Sequence, residues 1–190
     1  MAGEAAAQWP GEEVLNGVDT VRLGEMVREV RADPGQGELQ LRVANRWLEG
    51  GRNRTTITSY RRAGGEEQHL RPFTLEADEP PVLLGEDGAP GPTEYLLAAL
   101  SACLTTSLAY HAAAHGVRLE SVESSCEGDL DLRGFLDLDP KIRKGFREIR
   151  MRFRIRGDAD EARLLGLMKR SPVFDTIVNP TPVKITIERL

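Results

Sequence analysis

Few residues in this chain could do covalent chemistry. Cys103 and Cys126 are the only cysteines among 190 residues, and there are three histidines. A cysteine acts as a nucleophile in its thiolate form. It therefore needs access and a nearby cation. Cys103 lies in Pro92-Thr93-Glu94-Tyr95-Leu96-Leu97-Ala98-Ala99-Leu100-Ser101-Ala102-Cys103-Leu104-Thr105-Thr106, which reads as part of one long buried helix. Burial in such a helix favours the neutral thiol, so a cation must come from elsewhere in the fold. The opposing reading makes Cys103 a small core residue, the usual fate of a free cysteine on an apolar helix. The helix offers no cysteine–histidine dyad. His111 lies eight residues on, roughly 12 Å along the axis at about 1.5 Å per residue, and His115 is farther still. Both read as groups at the helix C-terminus, where positive charge is favoured. There is no Cys-x-x-Cys and no His-x-x-x-His with a third ligand, so neither metal nor cofactor is expected.

The elements that must position these residues follow from pattern. Residues 1–11 are small and polar and read as a disordered tail. Val21, Leu23, Met26, Val27 and Val30 recur at helical spacing, so 20–31 is a predicted helix inside an N-terminal extension over 12–36. Alternation predicts strands at 38–48, 54–60 and a short 73–77. A Pro/Gly/acid loop then leads into the helix at 95–114, with Glu94 in its first turn and Gly116 just past its end. Strands follow at 119–132 and 148–156, separated by an irregular insertion that carries Phe135, Leu136 and Leu138. Asp160 and Glu161 open a helix over 161–169. Ser171-Pro172 reads as the N-cap and first residue of another short helix, and 182–190 as a closing strand. The order is α+β. Cys126 falls in a strand, where packing is the default role of a buried cysteine.

Composition narrows the class. Thirty acids against 25 Lys and Arg give a net charge of −5, with no basic block, which argues against nucleic-acid binding. The 95–114 run is long enough to raise the question of a membrane span. Its Ala, Ser and Thr content and His111 favour a buried helix of a soluble protein. No signal peptide is visible and two cysteines make no disulfide framework, so a reducing cytoplasm is the expected location.

The cysteine helix, the segment Asp129-Leu130-Asp131-Leu132-Arg133-Gly134-Phe135 and the run Arg170-Ser171-Pro172-Val173-Phe174-Asp175-Thr176 together resemble the osmotically inducible protein C (OsmC) family, which includes the organic hydroperoxide resistance (Ohr) proteins. The resemblance spans roughly residues 48–190, so 37–190 is taken as the OsmC-like domain. It implies an intertwined homodimer, with curved antiparallel sheets around two long central helices. It implies Cys103 as the peroxide-attacking nucleophile. In the family an arginine from the first hairpin pairs with the thiolate. Gly50-Gly51-Arg52-Asn53-Arg54 matches that shape, with Arg52 the first candidate and Arg54 the second.

The family's hydroperoxide-resistance members orient that arginine with a glutamate ten residues before the cysteine. A gapless match places Thr93 there and Glu94 one place later, and one helical step turns a side chain by about 100°. Glu94 thus also reads as a first-turn dipole partner. The family's second cysteine corresponds to Ser171, which suggests a one-cysteine branch. A sulfenic acid on Cys103 would then need an external thiol, with Cys126 the only internal alternative. Phe135 and Leu136 are candidates for an apolar substrate mouth. The expected function is thiol-dependent reduction of organic hydroperoxides, without nucleic acid or membrane as partner. The alternatives are non-catalytic binding of a small apolar ligand in the dimer cleft, and a single-cysteine redox sensor.

Overall fold

The computed structural model describes residues 13–189, so the tail expected at 1–11 lies outside the described residues. The chain packs as two compact units. One takes the described residues up to Thr20 together with Leu97 onward; the other is Val21–Leu96.

The second unit is an antiparallel sheet plus most of helix α1, Thr20–Ala32. Its central strand β5, Arg52–Arg62, pairs along one edge with β6, Gly65–Ala77. Strands β3, Leu39–Leu41, and β4, Ala44–Glu49, lie end to end along the other edge. The single strand expected over 38–48 is therefore broken at Arg42-Val43. The third strand is much longer than its apolar part, because 66–71 are mostly polar and carry no alternation. Its register slips opposite Ile57 and Ser59, which leaves Pro72 in the irregular stretch where a strand tolerates a residue without an N–H. Among the described residues, Ala77 is the only buried hydrophobic of this unit, and Leu41, Val43 and Trp47 are exposed.

The first unit opens with a small hairpin, β1 Val14–Leu15 and β2 Val18–Asp19. Its two-residue turn, Asn16-Gly17, has positive φ at both positions, as a tight hairpin needs. Asn16 also ties the hairpin down: its Nδ2 donates to Val117 O at 2.9 Å and its Oδ1 accepts from Leu119 N at 2.8 Å. The rest is a two-stranded sheet with helices on one face. Strands β7, Leu119–Asp129, and β8, Glu148–Gly157, are antiparallel partners. Helix α2, Pro92–Ala114, presents Leu100, Leu104, Leu108 and Ala112 to the core, where they meet Leu164, Leu167 and Met168. The last three belong to α4, Glu161–Met168, whose N-cap Asp160 accepts from Arg163 N. Ile149, Met151, Phe153 and Ile155 of β8 pack on that cluster, while the alternating Arg150, Arg154 and Arg156 face acids on the other side. Val117 N returns to Ala112 O at 2.8 Å across Gly116, closing the end of α2.

The insertion after β7 contains one short turn of helix, α3, Leu132–Phe135, capped by Asp131. Gly134 is buried there because the backbone of Arg143 passes close by: a Cβ would sit 2.3 Å from its carbonyl oxygen. Helix α5, Pro172–Val178, starts where Ser171-Pro172 placed it. The closing strand expected at 182–190 is not formed. Residues 181–189 carry no regular structure and no backbone hydrogen bond among the described residues. Val183, Ile185 and Ile187 are 82, 83 and 82% exposed. The physical reason is the lack of a partner strand, since alternation alone forms no ladder.

Candidate functional site

Cys103 is half-buried and flanks the buried stripe of α2, one turn from Leu100 and Ser107. Its partial openness satisfies the first demand of thiol chemistry.

Cys126 faces the other flank. It stands opposite Met151 in the β7–β8 ladder and packs on the core cluster. Burial pushes its thiol pKa up, only partly offset by a hydrogen bond with the Ser101 hydroxyl. Ser101 is two residues before Cys103, and two residues turn a helix by about 200°. The helix side that meets Cys126 is therefore not the side that carries Cys103. Cys126, the one internal alternative for resolving a Cys103 sulfenic acid, thus faces Ser101 instead.

Ser171 is fully buried and accepts from Phe174 N at 3.1 Å as the N-cap of α5. Its hydroxyl is thus committed to the helix start. Phe135 and Leu136 are 66 and 54% exposed and stand with Leu138 on the insertion. At the base of that insertion the side-chain bond from Arg133 holds the Asp131 carboxyl down to about 2, with the Arg133 backbone N–H adding to it. A cleft of about 460 Å³ opens between β8 and α4, where the charged Glu161 joins the apolar Met151, Phe153, Ile155, Leu164 and Met168 in its lining. Sequence reasoning did not find it, because each apolar lining residue read as ordinary core.

His111 and His115 end α2 differently from expectation. His115 Nδ1 lies 2.7 Å from His111 O, and the His115 carbonyl accepts from Arg163 at 3.2 Å. Burial, then the charge of Arg170, pushes the His111 pKa below its usual 6.5. His111 is therefore a neutral group at the helix end, not a cation balancing its dipole. The folded state binds fewer protons here than the unfolded chain. The contribution of His111 to stability is complete above about 6.5 and falls as pH drops through its lowered pKa. Urea midpoints measured from about pH 7.5 to 5.5 should decline, and His111→Gln should flatten that part of the profile.

The arginine candidates sit in the Val21–Leu96 unit. Glu49 and Arg52 flank the Gly50-Gly51 turn of the β4–β5 hairpin. Arg52 Nη1 is 3.0 Å from Glu49 Oε1 and 3.9 Å from Glu86 Oε2. Arg54, on the same face two residues on, donates from Nε to Glu76 Oε1 at 2.6 Å, across the β5–β6 pair. Glu94 closes the start of α2: its Oε2 accepts from Gly91 N at 2.7 Å, the return bond of a capping box.

A buried carboxylate organises the neighbouring loop. Asp78 is 2% exposed and accepts from Glu79 N at 2.8 Å, Gly88 N at 3.0 Å and Glu86 N at 3.2 Å. Those bonds, led by that of Gly88, hold its carboxyl below the usual range, and the Arg52 charge adds to them. Nothing in the sequence singled Asp78 out, because it reads as one acid in an acidic loop.

Against known proteins, residues 85–186 match the family described as OsmC-like protein. The chain belongs to the OsmC-like family. Solved OsmC-like folds align over most of its length. An OsmC-like protein from Mycoplasma pneumoniae aligns with a TM-score of 0.53 and 17% identity, covering 74% of this chain and 89% of that one. An osmotic-stress-induced and detoxification response protein from Psychrobacter arcticus gives 0.52 and 12%, covering 70 and 85%. An organic hydroperoxide resistance protein OsmC from Legionella pneumophila gives 0.50 and 18%, covering 73 and 90%. At these identities the likeness is one of fold, and the mixed α+β architecture is that of the OsmC-like structures. No curated protein matches the sequence. The OsmC-like match takes in Cys103, Glu94, Phe135, Leu136 and Ser171, and begins beyond Arg52.

Proposed function

We propose that this OsmC-like protein reduces organic hydroperoxides through Cys103 as a one-cysteine, thiol-dependent peroxidase. The observation that carries the reading is the partly open thiol on the flank of the α2 core stripe, within the family match. The hydroperoxide-resistance name of the Legionella relative supports the same chemistry. The thiolate attacks the distal peroxide oxygen, the O–O bond breaks, and the alcohol leaves with a proton. Cys103 becomes a sulfenic acid. One external thiol condenses with it, releasing water and leaving a mixed disulfide. A second thiol then frees Cys103 as an external disulfide forms. Ser171 cannot supply either sulfur, and Cys126 lies against the opposite flank of the helix. Arg52 is the assigned cation for the thiolate, and Phe135 and Leu136 the assigned apolar entrance.

The working unit is a homodimer. The unpaired alternation of Val183, Ile185 and Ile187 and the open cleft beside β8 support a second copy as their cover. Cytoplasmic location is part of the same reading, since the cycle needs a reducing thiol pool.

The test is hydroperoxide consumption by the pure protein with dithiothreitol or dihydrolipoamide. The wild type should turn over, Cys103→Ser should lose all consumption above the thiol background, and Cys126→Ser should retain most of it. A sulfenic-acid probe should label Cys103 far faster than Cys126. Equal activity of Cys103→Ser and wild type would sink the reading. An inactive wild type would leave non-catalytic binding of an apolar ligand as the better account.

A further inference from the structure

The glutamate that the family resemblance sought for Arg52 has another job here, since Glu94 caps α2. Arg52 nevertheless has two carboxylates of its own. Both meet the same nitrogen: Nη1 lies 3.0 Å from Glu49 Oε1 and 3.9 Å from Glu86 Oε2. No hydrogen bond or ion pair from Nε or Nη2 is found among the described residues. A guanidinium has five N–H donors in a rigid plane, so contacts at one corner restrict where the others can point. The Nε–Nη2 edge is thus left free to meet an anion, and that edge suits a thiolate or a small oxyanion.

The two carboxylates are placed by different means. Glu49 is held by the hairpin, directly opposite Arg52 across Gly50-Gly51. Glu86 lies on the loop after β6, and its backbone N–H is bound by the buried Asp78 carboxylate. That carboxylate also holds the amides of Glu79 and Gly88, so one group sets the path of the whole segment.

We propose that Glu49 and Glu86 are positioning residues that orient the Arg52 guanidinium, with Asp78 as the anchor that delivers Glu86. This inference rests on the assignment of Arg52 as the thiolate's cation and replaces Glu94 in the orienting role. Surface pairs of this kind add little to stability, so the test reads the thiol and not the fold.

The experiment compares wild type, Arg52→Ala, Glu49→Gln/Glu86→Gln, and the triple variant. The readout is the alkylation rate of Cys103 at neutral pH divided by its plateau at high pH, in the intact 190-residue chain. Both glutamates are at the surface, so glutamine leaves the fold intact. The sign of the effect separates the explanations. If the two carboxylates only add negative charge, removing them favours the thiolate and the ratio rises. If they orient Arg52, removing them lowers the ratio, by about three- to tenfold against an Arg52→Ala loss of about tenfold or more. Added to Arg52→Ala, the glutamine pair should then do nothing further. Glu86→Asp, which keeps the charge, should restore part of the ratio in a Glu49→Gln background.

A ratio that rises or stays level in the glutamine pair, while Arg52→Ala lowers it, overturns the inference. If Arg52→Ala itself has no effect, the role of Arg52 in the peroxidase reading fails. The orienting contact is then judged on the Arg52 Nε–H signal by NMR. A signal that is ordered in wild type and averaged in the glutamine pair sustains orientation, and an unchanged signal ends it.

Discussion

Arg52→Ala should slow alkylation of Cys103 at neutral pH by about tenfold or more if Arg52 is the thiolate's cation. A cation beside a shielded acidic group favours its ionised form by about 1–3 pK units, and each unit is a factor of about ten in the reactive thiolate. The rate recovers at high pH, where any thiol ionises, so the loss must be pH-dependent to count. Arg54→Ala is the control. Its guanidinium is taken up by Glu76 across the sheet, at 2.6 Å, and it should change the rate little. An effect carried by Arg54→Ala would move the hairpin assignment by two residues. If neither substitution changes the rate, the thiolate lacks the cation assigned to it and the apolar-ligand reading gains.

If the protein is the proposed homodimer, deleting residues 182–190 should convert it to a monomer at micromolar concentration, and Ile185→Asp should weaken the dimer by about a hundredfold or more. Burying one such aliphatic side chain is worth about 1.5–3 kcal/mol, and about 1.4 kcal/mol is a factor of ten in affinity. A buried aspartate adds the cost of an unpaired charge. Sedimentation of the full chain reads the outcome directly. A well-folded monomer of the intact 190-residue chain at that concentration contradicts the dimer, whatever the variants do.

The pattern of the second half of the chain was largely legible. The alternation of Ile149, Met151, Phe153 and Ile155 gave β8, and Asp160 and Ser171 gave the starts of α4 and α5, because each signal is local. The first half was harder. The Arg42-Val43 break between β3 and β4 and the polar first half of β6 depend on pairing with β5, which periodicity does not report. The Asn16-Gly17 hairpin was a missed local signal, since its turn dipeptide is among the strongest there are. At the candidate site, residue types were visible but commitments were not. Glu94 is taken by Gly91, Arg52 by Glu49 and Glu86, and Cys126 by Ser101. Each depends on which way a side chain turns once the chain has folded. Asp78 left no mark at all, because its partners are backbone amides.

The loop between β6 and α2 bears on how the protein survives proteases. Exposed Pro/Gly/acid connections are preferred cutting sites, and an endopeptidase needs several residues of free, extended backbone. Here the amides of Glu79, Glu86 and Gly88 all end on Asp78, so freeing the segment means breaking one carboxylate's whole set of bonds. That carboxyl ionises below its ordinary 3.8 in the folded chain. Its contribution is complete above that value and is lost only as pH falls through the lowered one. The loop should therefore stay guarded at neutral pH and loosen only as the pH falls below 3.8, which limited proteolysis across that range would read. A cut there severs the strands that carry Arg52 from the helix that carries Cys103.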